Sequence, residues 1–435
     1  MTTRKPASKD EHVLIVGAGV FGLSTALELK KRGYHRVTVL DRYLPPVLDG
    51  SSVDISRVIR TDYADPFYGK MAREAYEGWV GEYRNYYHHS GFVVLANQQG
   101  NSYIEKSKEV SEAVGSKLEE FEDGNEVHRI YPNIPANLGG LKAYHNPQGG
   151  WADAATSIQH MSFECTRRGV AFVTGSRGTV LSLKYTGKRV VGVNVAEGEP
   201  ILAAQIILAT GAWSNTLIPI TDAMSASGQP VGFIQLTRKE AEELKDIPVI
   251  INLSTGVFCF PPTPQSNVLK IARHGYGWAT QMEGGKDESG TSQTKMVSAP
   301  KRDGNNVDAS YLPDDAEEAL REGLRQLLPQ FTNHSWMNRR LCWYSDTPQG
   351  DFIIDYHPKI EGLFLATGGA GHAFKFLPVL GHYIVECYES TASLEVRNKW
   401  RLTVGEGLDG ITMAGDGSRG GPPLRVLDRI EQAKI

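Results

Sequence analysis

Cysteine is scarce: there are four in 435 residues, Cys165, Cys259, Cys342 and Cys387, and no two form a CxxC pair. That spacing offers neither a zinc site nor a disulfide framework and suits a reducing compartment, so no metal is expected. A basic excess is missing as well. Lys and Arg total 46 against 50 Asp and Glu, a net charge of −4. Without surplus cations to neutralise phosphates, nucleic acid is not an expected partner. No apolar run approaches the ~18 residues of a membrane span, and the polar start MTTRKPASKDEH is no signal peptide. Nor is this the composition of a disordered chain, since 40% of residues are hydrophobic and 22% charged. A soluble enzyme remains. At 435 residues it exceeds the usual ceiling for one hydrophobic core, so two domains are expected.

What is present reads as an interrupted nucleotide-binding fold. Val13-Leu14-Ile15-Val16 is a continuous aliphatic run, as a strand buried on both faces requires. A glycine turn follows, then helical spacing from Leu23 to Arg32 stopped at Gly33, and a second buried strand from Val37 to Leu40. In mid-chain a helix is expected at Ala154–Arg168, a strand at Val170–Val173, a hairpin at Val180–Leu183 and Val190–Val195, and a strand at Ile206–Leu208. Near the end, Leu363 to Ala366 runs into Gly368, Gly369 and Gly371 and then an apolar helix from Pro378 to Glu386. Between these, Tyr86–Ala96 and Pro248–Ala272 read as strands of another domain, and Leu312–Leu328 as an amphipathic surface helix with an acidic start. Gly284–Asn306 is polar and glycine-bearing, so a long mobile loop is expected there. The fold class is therefore α/β, with a Rossmann-type domain and a second, discontinuous α+β domain on a mixed sheet.

The turn carries chemistry. In Gly17-Ala18-Gly19-Val20-Phe21-Gly22, the first glycine permits the turn and the second lets backbone approach a pyrophosphate; the third permits close helix–strand packing. The pyrophosphate faces the free N–H groups of the helix start. Asp41, at the end of the second strand, is placed to accept both ribose hydroxyls and disfavours a 2′-phosphate. This spacing does not separate FAD from NAD.

Three further blocks separate them: SSVDISRVIR from Ser51 to Arg60, ATGAWS from Ala209 to Ser214, and CWYSDTPQGDFIIDYHP from Cys342 followed by ATGGAGHAFKF up to Phe376. With the glycine turn, they make the chain resemble the flavin-dependent amine oxidases, from Val13 to about Glu386. That group includes monomeric sarcosine oxidase, fungal pipecolate and saccharopine oxidases, and fructosyl amino acid oxidases (amadoriases). The resemblance implies an FAD-binding domain from 1–90, 151–222 and 341–400, a substrate domain from 91–150 and 223–340, and a tail from 401–435. It also implies a monomer acting on a small amine and O₂.

Site residues follow from the same resemblance. Cys342 stands where the family attaches FAD through an 8α thioether; composition alone makes it an inert core residue. Lys270, in the apolar stretch Val268-Leu269-Lys270-Ile271, matches a lysine near the flavin that promotes reaction with O₂, where a fixed cation stabilises the developing anion. Read alone, it is a snorkelling lysine at a strand edge. Arg60 and Lys375 match the pair that holds the substrate carboxylate, with Arg401 a fallback anion site, and Arg57 matches an arginine near the flavin. Tyr344 and His274 match polar active-site residues, whereas His357 and His372 have weaker claims. Ser51, Ser52 and Gly371 are expected to join Gly17, Gly19, Gly22 and Asp41 in binding the cofactor, and Lys375 to face it as well.

The expected reaction oxidises the C–N bond of a secondary-amine amino acid to an imine and reduces O₂ to H₂O₂. N-methyl amino acids, cyclic imino acids and saccharopine-like compounds are the favoured substrates, with fructosyl amino acids the alternative. Two departures weigh against the sugar. His274 stands where amadoriases carry a glutamate, and SSVDISR replaces their AGNDLNK. Phe258, Tyr276 and Trp278 either line the pocket or pack the core. Two other classes stay open: an NAD-dependent dehydrogenase, lacking a flavin spectrum, and a flavoprotein that no amine bleaches. The final Ala433-Lys434-Ile435 loosely resembles a peroxisomal address, with Gly405–Pro423 expected to leave the tail exposed; the cytosol is the alternative.

Overall fold

The computed structural model describes residues 5–99, 101–284, 296–301, 310–403 and 415–435. Its first sheet has six strands in the order Ile353–Tyr356, Leu363–Thr367, Gln205–Leu208, His12–Val16, Arg36–Leu40, Ala171–Val173. All pair in parallel except the antiparallel edge strand Ile353–Tyr356. The aliphatic runs alternate between two cores. Val13, Ile15, Val37 and Val39 face the helices Val20–Lys31, Ala154–Arg167 and Leu377–Glu389, while Leu14, Val16 and Leu40 face the small sheet formed by Val180–Thr186, Arg189–Val195 and Ile201–Leu202. A strand covered on both faces has no need of polar residues, hence the unbroken runs.

The second sheet is larger and mixed. Its centre is the long strand Ser225–Gln235, paired with Val268–Arg273 on one side and with Asn338–Asp346 along nine residue pairs. Val257–Cys259, Val249–Asn252, Phe92–Asn97 and Leu141–Asn146 continue it outward. The helix Asp314–Leu327 lies on this sheet through Ala316, Leu320, Leu324 and Leu327, a stripe at helical spacing buried with Val257, Leu269 and Ile271. No described helix is long and apolar enough to cross a membrane.

The expected strand at Tyr86–Ala96 is two strands, Tyr87–His88 and Phe92–Asn97, which join different sheets because the chain turns at Ser90-Gly91. Pro248–Ala272, expected as strands, holds three. Of the loop expected at 284–306, residues 285–295 and 302–306 lie outside the described residues, and Met296–Val297 pairs with Met282–Glu283. The described part of the tail is docked, which corrects the expectation that it hangs free. Arg425–Val426 adds a parallel strand beside Trp278–Ala279, and Arg419 forms a buried ion pair with Asp346. Ile435, 9% exposed, sits in the second core with Leu427. Two apolar side chains and one buried ion pair hold a segment whose composition reads as loose.

Candidate active site

The glycine turn opens a cleft of about 1320 Å³, open solvent at its mouth included, at the C-terminal ends of His12–Val16 and Arg36–Leu40. Gly17 has φ +108° and approaches Ala209 so closely that a Cβ would stand 2.3 Å from that carbonyl oxygen. Gly22 lies behind the turn, where a Cβ would be 1.8 Å from the Gly17 carbonyl oxygen. Helix Val20–Lys31 therefore starts hard against the strand with its free N–H groups toward the cleft. Ser52 Oγ accepts from Val20 N at 2.9 Å, so this residue meets the helix start, while Ser51 Oγ donates to the Trp343 carbonyl. Asp41 lies in the cleft wall and accepts from the backbone amides of Ala18 and Arg42, each at 2.7 Å. Burial raises its pKa. Further along the wall, Trp213 Nε1 and Arg42 Nη1 are buried with no hydrogen-bond partner among the described residues. An elongated cleft with a pyrophosphate-type turn, an acid beyond the second strand and two orphaned donors fits a dinucleotide such as FAD.

Behind the cleft lies a charged cluster. Arg57 is in the wall; its Nη2 donates to the Ser51 carbonyl at 2.8 Å and lies 3.5 Å from Cys342 Sγ. Cys342 is 5% exposed and shares its strand face with Tyr344, two residues on, which does line the cleft. Lys270 is 2% exposed on Val268–Arg273, which lies across Ser225–Gln235 from the Cys342 strand. It is not a snorkelling lysine: Nζ donates to the Ser56 carbonyl at 2.7 Å and pairs with Asp54 at 2.8 Å. Burial pulls its pKa down to about 8, with Asp54 opposing and Arg57 assisting. Asp54 also pairs with Arg57 and lies 3.5 Å from Arg340. Burial works against its charge, and Lys270, Arg57 and Arg340 outweigh it, holding the carboxyl far below the usual range. Sequence reasoning quoted Asp54 inside SSVDISR without giving it work. The signal available was an acid between Val53 and Ile55 beside two arginines.

A second cavity of about 620 Å³ shares Tyr344 and Gly371 with the cleft. At Gly371, φ +77°, a Cβ would meet the Tyr344 ring at 2.4 Å, so glycine lets this loop pass the ring. Arg60 and Lys375 both line this cavity, as expected of a carboxylate site. Arg60 Nη2 donates to Tyr103 Oη at 2.8 Å, and Nη1 bonds Asp62. Asp62 in turn accepts from Tyr144 and Asn146. Lys375 Nζ donates to Tyr63 Oη at 2.9 Å and has no carboxylate partner among the described residues. Burial, then Arg60, push its pKa well down. An incoming carboxylate relieves both.

His274 and Phe258 line the same cavity, whereas Trp278 is core. Arg401 is exposed and lines neither space. His357 accepts from backbone amides and is structural; His372 lines the cavity, bonding Tyr63 and the Gly350 carbonyl. Sequence reasoning missed Asp416 and Ser418, which reach the cavity from the tail. Burial opposes the charge of Asp416, but the His372 ring and the Ser418 hydrogen bonds outweigh it and hold the carboxyl below its usual range. No described group of three or more His, Cys, Asp or Glu side chains is placed to hold a metal.

Comparison with known proteins agrees with this geometry. The chain is 32% identical over 409 residues to the L-saccharopine oxidase of Schizosaccharomyces pombe, covering 89% of this chain and 92% of that protein. It is 25% identical to a monomeric sarcosine oxidase of Bacillus sp., covering 86% and 92%. The crystallised fructosyl peptide oxidase from E. terrenum superposes with TM-score 0.85 at 29% identity, covering 97% of each chain. Residues 12–387 match the family described as FAD dependent oxidoreductase. The turn, the cleft and this match together make the chain a member of that family, an oxidoreductase that uses FAD.

Proposed function

We propose that this oxidoreductase acts on an α-carboxylated secondary amine: an N-methyl amino acid, a cyclic imino acid or a saccharopine-like compound. The observation that carries the reading is a buried lysine, Lys375, beside a largely buried arginine, Arg60, whose side chain is 12% exposed, in a cavity that shares walls with the cofactor cleft. Arg60 and Lys375 bind the carboxylate, and Tyr344 and His274 line the path to the amine. When bound, FAD accepts the electrons lost from the C–N unit and passes them to O₂, which leaves as H₂O₂. Lys270, kept charged by Asp54, supplies the fixed cation for the oxygen step. Cys342 attaches the cofactor covalently. Its position one side chain from Tyr344 on the same strand face supports this. The walls exclude water while the amine is oriented, and the imine is hydrolysed in solvent. The residue ranges read as FAD-binding and substrate domains keep those roles in this proposal. Because the product is H₂O₂, we place the enzyme beside catalase in the peroxisome; a fluorescent protein fused to its N-terminus gives puncta, and diffuse fluorescence returns it to the cytosol.

Peroxide release from matched substrates tests the proposal. N-methyl amino acids and cyclic imino acids yield H₂O₂, whereas N-methyl amines lacking the carboxylate do not. Equal turnover of both classes overturns it. Fructosyl amino acids are the second reading, favoured by the likeness to fructosyl peptide oxidase and opposed by His274 in place of a glutamate. Peroxide from fructosyl valine and from none of the others decides for it.

A further inference from the structure

Asp416 and Ser418, from the C-terminal segment, extend a hydrogen-bonded line that begins at Tyr344. Tyr344 Oη lies 3.3 Å from His274 Nδ1, and His274 Nε2 lies 2.9 Å from Ser418 Oγ. Ser418 Oγ lies 2.5 Å from Asp416 Oδ1, which also accepts the Ser418 amide at 3.0 Å. All four residues line the second cavity.

The line has a direction, and its carboxylate end fixes it. An ionised carboxylate only accepts, so the Ser418 hydroxyl donates to Asp416. With its proton committed, Ser418 Oγ accepts, and the hydrogen on His274 resides on Nε2. Burial and the Arg419 guanidinium drive the His274 pKa far down, with Arg60 and Lys375 acting in the same sense and Asp416 against, so the ring is neutral at neutral pH. In a neutral imidazole the other nitrogen accepts, so Nδ1 accepts a hydrogen bond from the Tyr344 hydroxyl. The Tyr344 oxygen then meets a ligand as an acceptor. Among the described residues it makes no other hydrogen bond.

We propose that Asp416 and Ser418 are positioning residues which orient this line, so that Tyr344 reads an N–H of the substrate while Arg60 and Lys375 hold its carboxylate. The identity of the ligand rests on the amine-oxidase reading above; the direction of the line does not. Accepting the N–H leaves the nitrogen lone pair free to support electron loss from the neighbouring carbon. The cavity thereby selects a nitrogen bearing hydrogen over an ether or thioether of the same shape.

Two readouts on the FAD-loaded enzyme test this without turnover. The first compares binding of pyrrole-2-carboxylate, which has a ring N–H, with furan-2-carboxylate, which has only a ring oxygen, followed by flavin absorbance. Wild type prefers the pyrrole by about tenfold, the worth of one hydrogen bond. Ser418→Ala abolishes that preference, and Ser418→Thr restores it. The second is ¹⁵N NMR of histidine-labelled enzyme, with the His274 signals identified by their loss in His274→Asn. Wild type shows the Nε2–H tautomer, and Ser418→Ala and Asp416→Asn show a mixture. A pyrrole preference that survives Ser418→Ala, or an Nδ1–H tautomer in wild type, overturns the inference. If neither ring acid binds, the carboxylate-site reading fails and the NMR tautomer alone decides the direction.

Discussion

Asp54→Asn is the sharpest probe of the oxygen role proposed for Lys270, because the substitution keeps shape and removes one charge. The carboxylate lies 2.8 Å from Lys270 Nζ, with both side chains nearly inaccessible at 1% and 3% exposure. At an effective dielectric of about 20, a pair at that separation is worth about 6 kcal/mol. Removing one partner of a buried pair costs about 3–5 kcal/mol in practice. Taking ~3 kcal/mol, at about 1.4 kcal/mol per pKa unit, lowers the Lys270 pKa by about 2. The starting value is about 8, so the variant titrates near about 6. An ammonium is present below its pKa and lost as pH rises through it. At about pH 7.5 the wild-type lysine is mainly charged and the variant mainly neutral, a difference of roughly twentyfold in the charged fraction. Stopped-flow mixing of reduced enzyme with O₂ reads this directly. Wild-type reoxidation falls as pH rises with a midpoint near 8. The Asp54→Asn midpoint moves about two units lower, and bound flavin content confirms that the variant is folded. Coincident pH midpoints would mean that Asp54 does not hold the charge on Lys270.

Lys270→Met slows reoxidation at neutral pH by about a hundredfold, a loss of roughly 3 kcal/mol, while flavin content is retained; an unchanged stopped-flow rate removes the assigned role. Acid precipitation leaves yellow colour in the wild-type pellet and releases it to the supernatant in Cys342→Ser, whereas a colourless wild-type pellet rules out the thioether. Arg60→Gln and Lys375→Met each raise KM and weaken simple carboxylate inhibitors, and Arg60→Lys does not restore binding because the planar fork is lost. Unaltered inhibitor affinity in both variants moves the anion site. Because burial and Arg60 hold the Lys375 pKa down, wild-type affinity for a carboxylate falls as pH rises, with a proton taken up on binding. Isothermal titration in two buffers of different ionisation enthalpy reads that proton.

The legible part of this protein is the part written locally. Strands buried on both faces are unbroken aliphatic runs, so Val13–Val16, Val37–Leu40 and Leu363–Ala366 announce themselves. The Gly17–Gly22 turn does so too, because only glycine tolerates its contacts. The lining of the two spaces was legible where a motif carries it, as at Arg57, Arg60 and Lys375. What the sequence conceals is pairing at a distance. Asp54 and Lys270 are 216 positions apart, and their opposition follows from the fold. Asp416 and Ser418 sit in a glycine-rich stretch that composition marks as loose. They are held in the cavity by Arg419, whose partner Asp346 is 73 residues away, so neither burial nor hydrogen bonding was visible there. Similarly, nothing local distinguishes Phe258, which lines the cavity, from Trp278, which packs the core.

Anaerobic mixing of the purified, FAD-loaded enzyme with saccharopine, pipecolate, sarcosine and fructosyl valine decides whether it oxidises a carboxylated secondary amine, with flavin absorbance as the signal. One or more of the first three bleaches the flavin, absorbance returns on admitting air, and Arg60→Gln makes bleaching require far more of the same amine. A flavin that none of these amines bleaches, or one bleached as readily in Arg60→Gln as in wild type, contradicts the proposed activity.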